Sequence, residues 1–512
     1  MTAQSDIAAG YASEGAAIEL GAVLVDGAVE PTARVRLPLA TLNRHGLVAG
    51  ATGTGKTKTL QLIAEQLSAA GVPVVMADVK GDLSGLSKPG EGGDRVTARA
   101  ADTGDDWRAQ ACPVQFLSLG TGGVGVPVRA TVTSFGPILL SKVLGLNDTQ
   151  ESTLGLIFHW ADKRGLPLLD TKDLRSVISH LTGDEGKEDL KGLGGVSSAT
   201  AGVILRALVN LEAQGGDTFF GEPELDPRDL MRAVDGKGVV SLLELAELQA
   251  KPALFSTFLM WLLAELFEVL PEEGDLDQPK LVFFFDEAHL LFADASKAFL
   301  EQITQTVKLI RSKGVGVFFC TQLPTDVPNA VLSQLGARVQ HALRAFTPED
   351  QAALAKAVKT YPTTPHYELD EALTSLGIGE AVVTVLSEKG APTPVAWTRL
   401  RAPRSLMDTI GPDAIKAAAA SSELHGKYAE TIDRESAYEK LSAKVTPPPT
   451  PADEEPEGSA EAPAEAKPRR DEPGVVEQVL GNTAVKSFLR SAASALGREI
   501  TRGLFGTARK RR

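Results

Sequence analysis

The feature that most constrains this 512-residue chain is a glycine-rich segment, Gly50–Thr57, which reads GATGTGKT and matches the pattern G-x-x-x-x-G-K-[ST]. Only a loop rich in glycine lets several backbone N–H groups converge on a chain of phosphates. We therefore expect Lys56 to reach the β- and γ-phosphates of ATP and the Thr57 hydroxyl to ligate Mg²⁺. The predicted ATP contacts of this P-loop are Gly50, Ala51, Thr52, Gly53, Thr54, Gly55, Lys56, Thr57 and Lys58.

The residues around the P-loop place it in the structural context that this motif requires. Gly46–Ala49 predicts a short buried strand, and the stretch after the loop has apolar residues at helical spacing up to Gly71. Pro73–Ala77 predicts a second strand. Strand, helix and strand with short connections form a βαβ unit, which indicates a parallel sheet. The alternative, an accidental glycine-rich turn, does not account for this context.

A second segment, Leu281–His289, consists of five apolar residues followed by Asp286 and Glu287. This pattern is typical of a central parallel strand that delivers polar side chains to the carboxyl edge of its sheet, where ligands bind. Asp286 is expected to hold Mg²⁺ through its water shell. Glu287 is placed to act as the general base that polarises an attacking water. The alternative is an acidic helix start after a core strand, but together with the P-loop the acid pair favours ATP hydrolysis.

Two further strand ends carry polar residues. Gln322 follows the apolar run at Val317–Cys320 and could sense the γ-phosphate or the attacking water; a solvated strand end is the alternative. Asp78 and Asp82 flank Lys80 just beyond the second strand, where they could line the same edge or form an ordinary turn.

Composition and charge limit the remaining classes of protein. With 52 basic and 66 acidic residues the net charge is −14, which excludes a wholly basic nucleic-acid coat protein. The two cysteines exclude a disulfide framework and a four-cysteine zinc site, and they fit a reducing, cytoplasmic compartment. The N-terminus does not have the pattern of a secretory signal. Leu254–Leu270 is apolar but carries two glutamates, so we interpret it as a buried helix.

Changes of pattern along the chain predict seven segments. They are a short N-terminal segment (1–36), the first part of the ATPase core (37–135), a helical insertion with one possible strand at Gly238–Leu242 (136–275), the second part of the core (276–400), a C-terminal helical segment (401–445), a linker (446–474) and a basic tail (475–512). The residues 81–105 are rich in Gly and Asp and predict a loop.

The linker and the tail differ sharply in composition from the core. The linker has eight prolines and eight acids in 29 positions, so it cannot bury enough apolar surface to order itself. The tail has apolar residues at helical spacing from Val485 to Ile500 and eight Lys/Arg against one acid from Lys486 onward, which predicts a basic amphipathic helix. Nucleic acid, an anionic membrane surface and the acidic body of its own assembly are alternative partners.

These motifs and their flanking residues resemble the HerA/FtsK superfamily of P-loop ATPases, and more narrowly the YjgR-type bacterial proteins with a HerA-like C-terminal domain. The resemblance covers about residues 15–445 and a short part of the tail. The strings that carry it are Asn43–Thr57, Ala77–Leu86, Phe285–His289, Thr321–Pro328, Gly379–Ala381, Ile432–Glu439 and Gly497–Leu504.

The resemblance implies an α/β fold: a RecA-like, doubly wound and mostly parallel sheet with a large helical insertion and a C-terminal helical tail. It also implies a homo-oligomeric ring, usually a hexamer, with ATP at subunit interfaces and an arginine finger from the neighbouring subunit. Arg311 lies at the position that the family favours for the finger, and Arg338 and Arg344 are alternatives. HerA helicases carry a β-barrel of about a hundred residues before the P-loop, for which the residues before Gly50 leave no room.

Two classes of function follow from this resemblance. The first is a Mg²⁺-dependent ring ATPase that uses hydrolysis to drive movement, with DNA as a candidate substrate in the manner of a translocase or helicase. The second is a nucleotide-gated scaffold or switch that hydrolyses ATP slowly and binds a protein partner. A membrane-associated ATPase held by the basic tail is a further alternative.

Overall fold

The computed structural model of the chain describes residues 2–445, apart from residues 191–193, 214, 246–251, 275 and 294. The predicted linker (446–474) and basic tail (475–512) lie outside the described residues. Within the described part of the chain, no helix combines the length and the apolar character that a membrane span requires.

The described residues form the following strands and helices. The strands are β1 (Ala17–Val25), β2 (Ala28–Pro38), β3 (Gly46–Ala49), β4 (Val74–Asp78), β5 (Val114–Leu119), β6 (Val126–Val128), β7 (Ala233–Val234), β8 (Lys237–Gly238), β9 (Val240–Glu244), β10 (Leu281–Phe285), β11 (Val315–Thr321), β12 (Ala337–Gln340), β13 (Glu380–Thr384) and β14 (Ala396–Leu400). The α-helices are α1 (Ala3–Ala9), α2 (Lys56–Ala69), α3 (Asp94–Thr103), α4 (Val132–Val143), α5 (Asp148–Lys163), α6 (Thr171–Thr182), α7 (Asp184–Asp189), α8 (Ser198–Ala213), α9 (Pro252–Val269), α10 (His289–Phe292), α11 (Lys297–Ile310), α12 (Asn329–Leu332), α13 (Pro348–Val358), α14 (Leu369–Ser375), α15 (Pro412–Ala420), α16 (His425–Tyr428) and α17 (Ala437–Val445). Short 3-10 helices cover Leu39–Arg44, Ser84–Ser87, Gly216–Thr218, Pro227–Leu230, Arg311–Lys313 and Pro324–Asp326.

Twelve of the strands form one mixed sheet in the order β2-β1-β14-β13-β12-β3-β11-β10-β4-β9-β5-β6. The eight strands from β12 to β6 run parallel, and β13, β14, β1 and β2 continue the sheet as antiparallel neighbours. Because β3 lies inside the parallel part, the carboxyl ends of its neighbours β11 and β12 surround the P-loop. The predicted α/β, mostly parallel fold is confirmed.

Helices cover both faces of the parallel strands, and successive residues of each strand enter different cores. Leu47 and Phe283 belong to the core that the helices between β6 and β10 cover, whereas Val48 and Phe284 belong to the core that contains α2. A strand that is buried on both faces needs an uninterrupted apolar run. This requirement explains the sequence of β10, in which all five residues are buried.

The two ends of the sheet are closed in different ways. At one end β6 has only three residues. At the other end β2 has eleven residues, includes Pro31, and pairs with β1 through two register shifts. The helix α3 packs against β2, and the Arg34 side chain donates hydrogen bonds to the carbonyl oxygens of Thr103 and Gly104 at the end of that helix.

Most local predictions from the sequence agree with the structure. The βαβ unit is present as β3, α2 and β4, and Leu254–Leu270 corresponds closely to the helix α9. The possible strand at Gly238–Leu242 is β9, which runs from Val240 to Glu244 and lies in the main sheet between β4 and β5, so the segment 136–275 contributes to the core sheet as well. The prediction of a loop over 81–105 was wrong for its second half, since α3 occupies Asp94–Thr103.

Candidate functional site

The P-loop connects the buried end of β3 to the first turn of α2. Gly50, Gly53 and Gly55 have φ angles of 152°, 81° and 112°, which side chains with a Cβ rarely tolerate. A Cβ atom on Gly50 would also lie 2.5 Å from the Cβ of His341. The glycines therefore serve both the backbone conformation of the loop and its close packing against the end of β12.

The amino group of Lys56 is folded back over this loop. Its Nζ donates hydrogen bonds to the carbonyl oxygens of Gly50, at 2.6 Å, and Ala51, at 3.1 Å. Both partners are neutral, and none of the ion pairs among the described residues involves Lys56. Thr57 and Lys58 follow in the first turn of α2 and are partly exposed. A cation with only neutral partners at a helix N-terminus is suited to a phosphate ligand.

The other predicted site residues follow neighbouring strands at the same edge of the sheet. Thr321 at the end of β11 lies opposite Ala49 of β3, and Phe319 lies opposite Phe285 of β10. Because neighbouring strands are about 4.8 Å apart, the ends of β3 and β10 are separated by roughly 10 Å. Cys320 lies between them: burial and the Asp286 carboxylate raise the pKa of its thiol, whereas Lys56 acts in the opposite direction. Lys56 and Asp286 are therefore both close enough to Cys320 to shift the pKa of its thiol.

Asp286 and Glu287 leave β10 in an unusual conformation. Glu287 has a φ angle of 48°, in the left-handed region that costs a residue with a side chain about 1–3 kcal/mol and occurs often at functional sites. The Oδ1 atom of Asp286 accepts a hydrogen bond from the Glu287 backbone N–H at 2.9 Å. Desolvation, together with the charge of Glu287, raises the pKa of Asp286. A nearby cation would relieve this destabilisation of the carboxylate.

Glu287 itself has a cationic partner that the sequence did not reveal. Its Oε1 atom lies 3.1 Å from the Nζ of Lys80, and its Oε2 atom lies 3.4 Å from the Nδ1 of His289. The Glu287 side chain is only 14% exposed, and Oε2 is buried without a hydrogen bond within the described residues. The candidate base is thus partly neutralised by Lys80, and its Oε2 atom makes no hydrogen bond within the described residues.

Gln322 is exposed directly after β11, beside the P-loop. The preceding residue holds this position: the Gly50 N–H donates to the Thr321 carbonyl oxygen at 3.2 Å, and the Thr321 hydroxyl donates to Asp326 at 2.6 Å. These hydrogen bonds of Thr321 place the exposed amide of Gln322 at the edge of the sheet that carries the P-loop.

His341 is a further residue at this edge that the sequence analysis missed. It is buried at the end of β12, and its Nε2 atom is 2.9 Å from the Thr59 hydroxyl of α2. Burial, assisted by the nearby Lys56, lowers the pKa of His341 to about 4. A neutral histidine thus packs behind the P-loop without adding a second positive charge. His341 directly follows β12, and only the pairing of β12 with β3 brings it to this edge.

Asp78 and Glu244 end the neighbouring strands β4 and β9 and lie directly opposite each other. Asp78 accepts backbone hydrogen bonds from Gly81, Asp82 and Leu83, so it organises the turn that carries Lys80. Desolvation raises the pKa of Asp78 to about 6, and desolvation and the charge of Asp78 raise that of Glu244 to about 8. The sequence suggested that Asp78 either lines this edge of the sheet or forms an ordinary turn. In the structure it does both, because the turn that it stabilises lies at this edge.

Glu244 makes a prediction about stability possible. Between pH 4.5 and about 8 the folded chain keeps a proton on Glu244 that the unfolded chain has lost, so its free energy of unfolding falls as the pH rises through this window. Between pH 5 and pH 8 we expect the free energy of unfolding of Glu244→Gln to fall by about 2–4 kcal/mol less than that of the wild type. Urea unfolding of both proteins at several pH values measures it. The exposed Glu301→Gln is the matched control, and parallel pH profiles of Glu244→Gln and wild type would contradict the assignment.

The three arginines considered for a finger lie in two different places. Arg311, in the 3-10 helix after α11, and Arg338, on β12, line one cavity at the amino edge of the parallel strands, opposite the P-loop. Arg344 lies on the P-loop side, where its Nη2 atom donates to the Thr52 carbonyl oxygen at 3.2 Å. Only Arg344 is therefore near the P-loop of its own chain.

The residues at this edge fit a magnesium nucleotide. Lys56 has only neutral acceptors, desolvation and the charge of Glu287 raise the pKa of Asp286, and one Glu287 oxygen has no hydrogen-bond partner among the described residues. No cluster of three or more metal-binding side chains occurs within the described part of the chain. Mg²⁺ typically uses one or two carboxylates together with phosphate oxygens and water rather than such a cluster.

The fold and this edge define the class of protein: a P-loop ATPase fold of the RecA type. The sequence profile of the helicase HerA-like C-terminal family matches residues 25–512, and the chain belongs to that family. The comparison with curated proteins gives no match.

Solved structures support the same fold. The bacterial conjugative coupling protein TrwBdeltaN70, in an unbound form, aligns with a TM-score of 0.52 at 16% identity over 80% of this chain and 95% of that chain. The plasmid coupling protein TrwB in complex with ADP and Mg²⁺ aligns with a TM-score of 0.53 at 16% identity over 79% of this chain and 93% of that chain. At this level of identity the likeness establishes the fold alone.

Proposed function

We propose that this chain is a Mg²⁺-dependent ATPase that works as a ring of identical subunits. The observation that carries the proposal is the convergence of the Lys56 amino group and the Asp286–Glu287 pair on one edge of the sheet, with Cys320 between them. A cation for phosphates and a carboxylate pair for metal and water are the parts that phosphoryl transfer to water requires.

Each of these residues has one role in the proposed reaction. Bound Mg²⁺ would neutralise phosphate charge, held by the Thr57 hydroxyl and the Asp286 carboxylate. The Lys56 amino group exchanges its loop carbonyls for phosphate oxygens. Glu287 accepts the proton of the attacking water at Oε2, the oxygen that makes no hydrogen bond within the described residues, and the exposed Gln322 amide orients that water.

Arg311 supports the proposal of a ring. It is exposed at the edge of the sheet opposite its own P-loop, so it can approach only a nucleotide that another copy holds. A head-to-tail assembly would bring the amino edge of one copy to the carboxyl edge of the next, and such interfaces close into rings. We propose Arg311 as the finger of this ring, with a hexamer as the ring size that the family implies.

The ATPase proposal predicts phosphate release from ATP by the purified full chain, with Mg²⁺ required. We expect Lys56→Ala to lower the rate by about 10²–10³-fold, because it removes the charge that stabilises the transferring phosphoryl group. Rates with and without single- and double-stranded DNA, together with particle size with and without ATP, complete the measurement. Wild-type protein that releases no phosphate under any of these conditions would reject the ATPase proposal.

The ion pair of Glu287 with Lys80 favours a second candidate function, a nucleotide-gated scaffold. A base that is partly neutralised by Lys80 would turn over slowly, as a switch requires. DNA separates the two candidates. Stimulation of the ATPase rate by DNA favours a DNA-translocating motor, whereas a slow rate that DNA does not change and a stable protein complex that depends on ATP favour the scaffold.

A further inference from the structure

A cavity of about 510 Å³ opens at the amino edge of the parallel strands, opposite the P-loop. Its walls come from the residues before β3, the end of α11, the start of β12 and the end of the antiparallel strand β13. The residues that line it include Arg44, Lys308, Arg311 and Arg338. This volume is within the range of small-molecule sites in proteins.

The charge of this cavity is one-sided. Four of its lining residues are Lys or Arg, and none is Asp or Glu. None of the ion pairs among the described residues involves these four side chains. The whole chain has a net charge of −14, so the charge of this cavity is opposite to that of the chain as a whole. Like charges in a concave surface repel each other, and a bound anion relieves that repulsion.

Two of the four cations, Arg338 and Arg44, lie against fixed parts of the fold. The Nη1 atom of Arg338 donates to the Thr360 carbonyl oxygen at 2.7 Å, and its guanidinium lies 5.9 Å from the centre of the Tyr361 ring. The Arg44 guanidinium lies against the backbone at Gly390, where a Cβ atom would be 2.7 Å from Nη1. Arg338 is thus held in position before any ligand binds, which lowers the entropy that binding costs.

The wall behind the cations is a fully buried histidine. The Nε2 atom of His45 is 2.7 Å from the Val307 carbonyl oxygen, and its Nδ1 atom accepts the Val317 N–H at 3.1 Å. These partners require a neutral ring that carries its proton on Nε2. The histidine ties β3, α11 and β11 together and gives the cavity a rigid base.

We propose that this cavity is a second anion site, which binds a free ligand with two or more phosphate groups. Guanidinium groups match the geometry of phosphate oxygens. Four cations exceed what a single carboxylate or one phosphate needs, whereas a diphosphate or triphosphate carries a comparable negative charge. Uncharged hydrogen-bonding groups complete the lining: Ser333, Gln334, Thr360 and Thr384.

The cavity is separate from the P-loop of its own chain, although Arg311, one of its four cations, is also the proposed finger for the nucleotide of a neighbouring copy. Arg44 and His45 precede β3, and Gly50 follows it, so the two sites lie at opposite ends of the same strand. β3 has four residues and is therefore about 13 Å long. Binding in the cavity needs no hydrolysis, so it can be tested in a chain whose P-loop is disabled.

The test is calorimetric titration of inorganic pyrophosphate into full-length Lys56→Ala protein, in which the P-loop cation is absent. We expect one binding site per chain, with an affinity that falls as the salt concentration rises. Arg44→Ala and Lys308→Ala, each added to Lys56→Ala, should weaken binding by about tenfold or more, as the loss of a charge-assisted hydrogen bond does. Arg206→Ala, an exposed change on α8, is the control and should leave the affinity unchanged.

Thermal melting of each variant shows whether it is folded. If Arg44→Ala unfolds, Lys308→Ala still tests the proposal, because Lys308 is exposed. Absence of pyrophosphate binding in Lys56→Ala, or binding that neither cavity variant weakens, would overturn the proposal. A third result would also overturn it: pyrophosphate does not bind, but Arg44→Ala and Lys308→Ala, made in the chain that retains Lys56, lower ATP turnover in the assembled protein. In that case the cavity serves the nucleotide of a neighbouring copy and not a free ligand.

Discussion

Glu287→Gln is expected to lower kcat for ATP hydrolysis by about 10²–10⁴-fold, the usual contribution of a general base, while ATP binding remains. The amide keeps the size of the side chain but cannot accept the proton of the attacking water. Single-turnover phosphate release and equilibrium binding of a fluorescent ATP analogue separate the two effects. Glu301→Gln, an exposed change on α11, is the matched control.

The ion pair between Glu287 and Lys80 requires a second variant in this experiment. Because Glu287→Gln also frees Lys80 from its partner, a Lys80→Gln variant shows what the loss of the ion pair does by itself. Turnover at the wild-type rate in Glu287→Gln would show that another group is the base.

Arg311→Ala is expected to lower kcat by about 10³–10⁵-fold in the assembled protein, as the removal of an arginine finger does. ATP binding by each subunit should persist, because Arg311 lies at the edge opposite its own P-loop. The same variant also removes one cation of the basic cavity, but pyrophosphate binding and ATP turnover report the two roles separately. Arg206→Ala serves as the control for a lost surface charge.

A mixing experiment tests whether the finger acts between subunits. Arg311→Ala subunits retain Glu287, and Glu287→Gln subunits retain Arg311, so random co-assembly in a ring creates about one intact interface in four. Recovery of activity on mixing the two inactive proteins would place Arg311 at the neighbour's nucleotide. If Arg311→Ala alone turns over normally, the finger is another residue, and Arg338 in the same cavity is the next to change.

The sequence predicted the fold and the centre of the site because both depend on local patterns. A glycine-rich turn between a buried strand and a helix, and an apolar run that ends in two acids, each specify their own structure. Parallel pairing then brings Gly50, Asp286 and Gln322 to one edge without further information.

The missed features depend on contacts between distant parts of the chain. Lys80 meets Glu287 only because β4 is the neighbour of β10, an order that periodicity does not reveal. His341 lies behind the P-loop only because β12 is the neighbour of β3, a pairing that periodicity does not reveal either. The basic cavity collects residues from several separate segments of the chain; the sequence pointed to Arg311 and Arg338 only as candidate fingers, and it did not indicate that they share a cavity with Arg44 and Lys308.

The helix α3 was missed for a related reason. Its residues are short, polar or charged, so their apolar content is too low to indicate a helix. In the structure Val96 and Thr103 are the buried residues of this helix, and its role is to cover the outer strand of the sheet.

That arrangement at β2 has a consequence for association. An unpaired outer strand is normally a template onto which a strand of another molecule can add. Pro31 offers no N–H group for such pairing, two irregular steps twist the strand, and Arg34 fastens it to the end of α3. We therefore expect copies of this chain to associate through helix and loop surfaces, and concentrated solutions to resist fibrillar growth from this side of the molecule.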